Sequence, residues 1–154
     1  MTTSLTSCGL GTQLPDTATM RGVGNGVDTK SGDLHAQDVT VVTTGATVGI
    51  SSTIINKAET AASVTGVSVD GKPLTLVLDA TPVTALPVIS DGATRLGFQS
   101  NESAIGAYAI TAGTYADVVI SFADGSILTA NALVVNKSGI YADVVTELPA
   151  APVA

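Results

Sequence analysis

The sequence predicts an all-β protein: an antiparallel β-sandwich or small Greek-key barrel of about seven or eight short strands, preceded by an extended N-terminal arm. Three observations carry this. Between residues 38 and 147 apolar and polar side chains alternate in short runs, the two-residue period of strands with one face buried. Turn dipeptides punctuate the runs, Asp70-Gly71, Asp91-Gly92 and Asp124-Gly125 among them. Helical periodicity is nearly absent, confined to one turn's worth in SNESAIGAYA, residues 100–109.

Residues 1–37 form the expected arm. Five glycines between Gly9 and Gly26, with Pro15 among them, oppose both a helix and a long strand. Leu5, Leu10, Leu14, Met20, Val23 and Val27 are spaced along this segment as apolar anchors. Two readings stay open, a solvated tail or an arm ordered on a partner through those six side chains.

The β-domain is expected over 38–147. DVTVVTT from Asp38 is a first strand, Gly45 a break, and ATVGISSTIIN a second strand ending at the polar turn Asn56-Lys57-Ala58-Glu59. ETAASVTGVSV then leads into a hairpin, with Val67–Val69 facing Leu74–Leu78 across Asp70-Gly71-Lys72-Pro73. Leu74, Leu76 and Leu78 share one face, and Pro73 stands at the strand entrance, where its missing N–H costs least. Pro82 and Pro87 bracket an edge or loop, Leu96-Gly97-Phe98 starts another strand, and AYAIT from Ala107 is a short one. The most sharply specified element is the hairpin from Tyr115 to Val135. Ala116, Val118, Ile120 and Phe122 oppose Tyr115, Asp117 and Ser121, while Leu128, Ala130, Ala132 and Val134 form the matching apolar set around a turn at Asp124-Gly125-Ser126. After the turn Asn136-Lys137-Ser138-Gly139, Ile140–Thr146 reads as a last strand. Residues 148–154, with Pro149 and Pro152, read as a flexible tail.

Composition narrows the function. The chain of 154 residues has room for one domain plus an arm. Apolar residues make up 45%, but with two Phe, three Tyr and no Trp the core must be aliphatic. Charged residues are 12%, about half the ~25% usual in soluble proteins, which favours burial of much of the surface in an assembly. The net charge is −7, and Arg21, Lys30, Lys57, Lys72, Arg95 and Lys137 never cluster, which speaks against nucleic acid and anionic membranes. No run approaches the ~20 apolar residues of a membrane span. The first residues lack a basic and an apolar signal region, so synthesis in a cytoplasm without a signal peptide is expected.

The candidate chemical residues are few. His35 is the only histidine and stands between Asp33 and Asp38, but without a second His or Cys it reads as a surface residue. Cys8, the only cysteine, lies in the arm without a base and reads as a free thiol or an inter-chain bridge. The Asp-Gly pairs lack the spacing of a Ca²⁺ loop and match turn chemistry. GVGNG at 22–26 lacks the Lys and Ser/Thr of a phosphate loop. Ser51, Ser52, Ser100 and Ser103 have no general base in a motif, and Tyr108, Tyr115 and Tyr141 are too few for a stacking platform. No catalytic, cofactor-binding or metal-ligating residue is assigned, and a protein that is not an enzyme and carries no cofactor is expected.

An Ala/Gly/Thr/Val-rich β-domain behind a long anchored arm, with no catalytic set, resembles the small capsid decoration, or cement, proteins of tailed bacteriophages. The resemblance covers the arm to Gln37 and the β-domain after it, and rests on architecture, so no functional positions are carried over. It implies a structural virion protein on the capsid surface, a homotrimer, with the major capsid protein as partner, clamping neighbouring capsid subunits with its arm. Two other classes stand beside it: another virion or surface β-module such as a tail, fibre or adhesin domain, and a hydrolase with a carboxylate pair buried in one cleft.

Overall fold

A computed structural model describes residues 26–148. Twelve strands form one strongly curled, mostly antiparallel sheet: β1 (Val27–Ser31), β2 (Leu34–Thr43), β3 (Val48–Asn56), β4 (Ala62–Val69), β5 (Lys72–Pro73), β6 (Thr75–Leu78), β7 (Thr81–Val83), β8 (Leu86–Val88), β9 (Gly92–Leu96), β10 (Glu102–Gly106), β11 (Tyr115–Phe122) and β12 (Ile127–Asn136). The all-β expectation holds. The main path runs β5-β4-β11-β12-β2-β3-β10-β6-β7, with β1 beside β2, β8 beside β4 and β9 beside β3.

The two halves of the sandwich share β12. Its first part pairs with β11 from Ser121↔Ile127 to Tyr115↔Leu133, and its last residues run parallel to β2, from Val134↔Val41 to Asn136↔Thr43. One long strand thus bends the sheet over on itself, and both inner faces close on one core. Val39, Val41, Ile50 and Ile54 come from one half and Val64, Val69, Ile120 and Leu128 from the other, all buried in the same cluster. Each such side chain contributes ~1.5–3 kcal/mol on leaving water, which suits a core with almost no aromatic volume.

The hairpin of β11 and β12 has the predicted faces. Ala116, Val118, Ile120 and Phe122 are buried, as are Leu128, Ala132 and Val134. Its turn differs from the two-residue form, because residues 123–126 make a four-residue connection. In it only Gly125 takes a positive φ (89°), and the Phe122 N–H donates to the Ser126 carbonyl at 2.9 Å. The two-residue turn appears at Asp70-Gly71, where both residues have positive φ (50° and 79°) between Val69 and Lys72.

The sheet begins earlier than the alternation suggests. β1 and the first half of β2 fall inside the segment read as arm, and Val27 packs against this chain's own core. A bulge between Gln37 and Thr40 hides the continuity. There Asp38 has φ 57°, and its N–H donates to the Asp28 carboxylate at 2.8 Å, so the face alternation of β2 shifts register at that point. Leu5, Leu10, Leu14, Met20 and Val23 lie outside the described residues, as do Cys8 and residues 149–154.

Five further expectations are corrected. After Pro73 the chain leaves β4 and crosses to the other half, so β6 pairs with β10 and β7 instead of continuing the hairpin. The last bond of that ladder, from the Leu74 N–H to the Val67 carbonyl at 2.8 Å, lies just past Pro73. Residues 102–106 form β10, not a helical turn, and Leu96 closes β9 because Gly97 (φ 85°) turns the chain away. Ala107–Thr111 is a loop whose Tyr108 and Ile110 pack on the core without a ladder. Residues 139–141 form a single 3₁₀ turn, and the segment after it lies against β3 as an irregular strap, with Val144 and Thr146 buried. The Val145 N–H donates to the Gly97 carbonyl at 2.9 Å.

Candidate functional site

A groove of about 680 Å³ opens between the β6–β7 turn, the loop before β10 and the C-terminal strap. Asp79, Asn101, Lys137, Asp143 and Glu147 bring its polar groups together. Asp79 and Ala80 build the turn with φ values of 51° and 63°, a tight hairpin connection made without glycine. That is why the sequence did not announce it. Behind the turn, Glu102 lies opposite Leu78 in the ladder. Burial pushes its carboxyl above the ordinary glutamate range, and the Asp79 carboxylate pushes it further the same way. The two carboxylates thus interact electrostatically. Glu102 holds a proton more firmly than a surface acid, yet no nucleophile with a base faces it: Ser100 Oγ accepts from the Glu102 N–H at 3.0 Å, and Ser103 is buried.

A second polar feature surrounds Tyr108. Its hydroxyl is buried without a hydrogen-bond partner, Lys72 Nζ lies 4.6 Å from the ring centroid, and burial together with Asp70 raises the phenol above its usual range. The remaining candidates are occupied by the fold itself. Asp70 Oδ1 accepts from the Asp117 N–H and Asp124 Oδ1 from the Ser126 N–H, each at 2.8 Å. Ser52 donates to the Gln37 carbonyl at 2.9 Å across the β2 bulge. Turn and bulge geometry account for these groups.

His35 lies on β2, opposite Lys30 of β1 and Ile55 of β3, with its ring partly exposed on the outer face between the inward Leu34 and Ala36. No hydrogen bond holds its imidazole among the described residues. Nor do the described residues contain any group of three His, Cys, Asp or Glu side chains placed to hold a metal ion.

Several solved structures match most of this chain. The copper-bound PCuAC domain from PmoF2 superposes with a TM-score of 0.61 at 13% identity, covering 71% of this chain and 98% of that one. The apo PCuAC domain from PmoF2 gives 0.62 at 10% identity over 73% and 98%, and the apo PCuAC domain from PmoF1 gives 0.61 at 13% over 70% and 98%. The fold is that of PCuAC domains. No family model and no curated protein matches the chain.

This finding overturns the resemblance to bacteriophage decoration proteins. The three solved structures named above are PCuAC domains, one of them copper-bound. The head-clamping function, the major capsid protein as partner and the trimer fall with it. The architectural cues behind the resemblance, a small β-domain rich in Ala, Gly, Thr and Val, describe any aliphatic sandwich and carried no family-specific residue.

The donor chemistry of the chain can be tested against copper. Cu(I) favours thiolate, thioether and imidazole ligands. The described PCuAC-like sheet contains one imidazole, His35, and no sulfur at all. The described residues therefore do not make a copper site by themselves, and no step through copper is assigned to them.

Proposed function

We propose that this chain is a non-enzymatic binding module whose ligand class is copper, taken as cargo and not as a catalytic cofactor. The observation that carries the reading is the match to PCuAC domains over 70–73% of this chain and 98% of each of theirs, one of those domains being copper-bound. The support is likeness of fold, which bears on architecture more strongly than on ligand, so the reading must be tested on the ligand. The polar side chains at Asp70, Asp124 and Ser52 are already engaged by backbone groups.

The experiment is a Cu(I) competition titration of the full chain against a chromogenic chelator under reducing conditions. Withdrawal of copper from the chelator to a fixed stoichiometry supports the reading. A chelator spectrum unchanged by excess protein would overturn it.

A further inference from the structure

We infer that residues 142–148 of the C-terminal strap are a lid, hinged at Gly139, that lifts from the outer face of β2, β3, β10 and β6 while the sandwich beneath stays folded. The motion needs no ligand and stands apart from the copper reading.

The lid covers a second apolar set. Val42, Val77 and Ile105 are buried, yet none belongs to the core cluster between the two halves of the sandwich. Their chain neighbours Val41, Leu76 and Ala104 do belong to it, so strand alternation points the three out of the sandwich. Val42 and Ile105 both stand opposite Gly49, one across the β2–β3 ladder and one across the β3–β10 ladder, and Val77 stands opposite the buried Ser103. The strap crosses this face at Gly49, where the Val145 carbonyl comes so close that a Cβ on the glycine would collide with it, and Val144 beside it is buried.

The fastening is light. Among the described residues one hydrogen bond ties 142–148 to the sheet, from the Val145 N–H to the Gly97 carbonyl at 2.9 Å; the Ala142 and Val144 N–H groups turn back on the strap itself, to the carbonyls of Gly139 and Tyr141. Thr146 Oγ1 is buried with no hydrogen-bond partner, so its hydroxyl gains one from water when the lid lifts. The lid is also loosely packed along its sides. The groove of about 680 Å³ runs beside Val77 and Val144, a second cavity of about 250 Å³ lies beside Thr47, Thr75 and Ile105, and Glu147 and Leu148 line both. A segment held by so few bonds opens at a lower free energy than the whole domain unfolds. At its root Gly139 has φ 58°, and a glycine leaves the left-handed region without steric cost, as a hinge requires. Raising the lid joins the two cavities and uncovers Val42, Val77 and Ile105, an apolar strip of the kind a soluble chain keeps covered. The strap thus gates that face.

Native-state amide exchange on the full chain tests the gate, with circular dichroism as the check of folding. The Val145 amide should exchange at least about tenfold faster than the ladder amides of β2 and β3, at a rate that low urea leaves unchanged, because a local opening exposes little surface. Thr146→Val should slow that exchange by removing the orphaned hydroxyl, and Val144→Ala should speed it. In a Cys8→Ser background the thiol introduced by Val77→Cys, under the lid, should react with an aromatic disulfide reagent at least about tenfold faster than the one introduced by Leu76→Cys, which points into the core. Val145 exchanging in step with the ladder amides at every urea concentration, or equally slow labelling of the two thiols, would overturn the lid, since the strap would then detach only when the whole domain unfolds.

Discussion

Phe122 shows how the core depends on single side chains. It is 4% exposed at the end of β11 and is one of only two phenylalanines in the chain, so its ring fills volume that Val and Ala neighbours cannot reach. Phe122→Ala should cost ~3–5 kcal/mol in denaturant melts, whereas Ser121→Ala, on the opposite face, should stay within ~0.5 kcal/mol. Equal losses would contradict the assigned faces. Glu102 makes a prediction of opposite sign. Its folded-state carboxyl holds the proton more tightly than the unfolded chain does, because of burial and then Asp79. Stability should therefore fall as pH rises from the unfolded glutamate value through the raised folded one, and recover on acidification through the same window. Glu102→Gln should be more stable than the native protein at neutral pH and should lose that part of the pH dependence. An unchanged pH profile in the variant would show that Glu102 ionises as a surface acid.

At the scale of elements, close backbone approach sets the limits. A Cβ at Gly49 would collide with the Val145 carbonyl oxygen of the strap, and one at Gly97, where φ is 85°, would collide with the Ile50 carbonyl. Gly66 in β4 has ordinary space, its nearest neighbour being Ser121 Cβ at 3.8 Å. Gly97→Ala should destabilise by ~2 kcal/mol or more, through both the collision and the left-handed backbone. Gly49→Ala should displace the strap, read as faster amide exchange at Val145. Gly66→Ala should change neither measurement appreciably. These contacts explain what the sequence revealed and what it concealed. β11 and β12 were legible because alternation and a turn signal adjoin within about twenty residues. The loop around Tyr108 and Ile110 and the strap around Val144 and Thr146 also alternate, since one side of each is buried, but they are held by packing and a few hydrogen bonds instead of a ladder. Alternation reports one-sided burial, and strand pairing is a separate fact. The hairpin at Asp79-Ala80 was silent because it uses left-handed non-glycine residues, and the bulge at Asp38 concealed the first half of β2.

At the scale of the molecule, the parallel pairing of β12 with β2 joins segments about ninety residues apart, and that pairing curls the sheet into a sandwich. No local pattern encodes such a pairing, so the sequence led to the all-β class without leading to the PCuAC topology. The candidate site was legible in a different way. His35 was visible as the only histidine and read as a surface residue, and it lies partly exposed on β2. The groove at Asp79, Asn101 and Glu147 was not legible, because its walls come from the β6–β7 turn, the loop before β10 and the strap, which only the fold brings together. The low charge content is compatible with a module that works against a partner, although it names none. A Cu(I) titration of the full chain against a chromogenic chelator tests the central claim most directly, because the fold is shared with a copper-bound domain. The account predicts withdrawal of copper from the chelator to a fixed stoichiometry. A chelator spectrum unchanged by excess protein would contradict it.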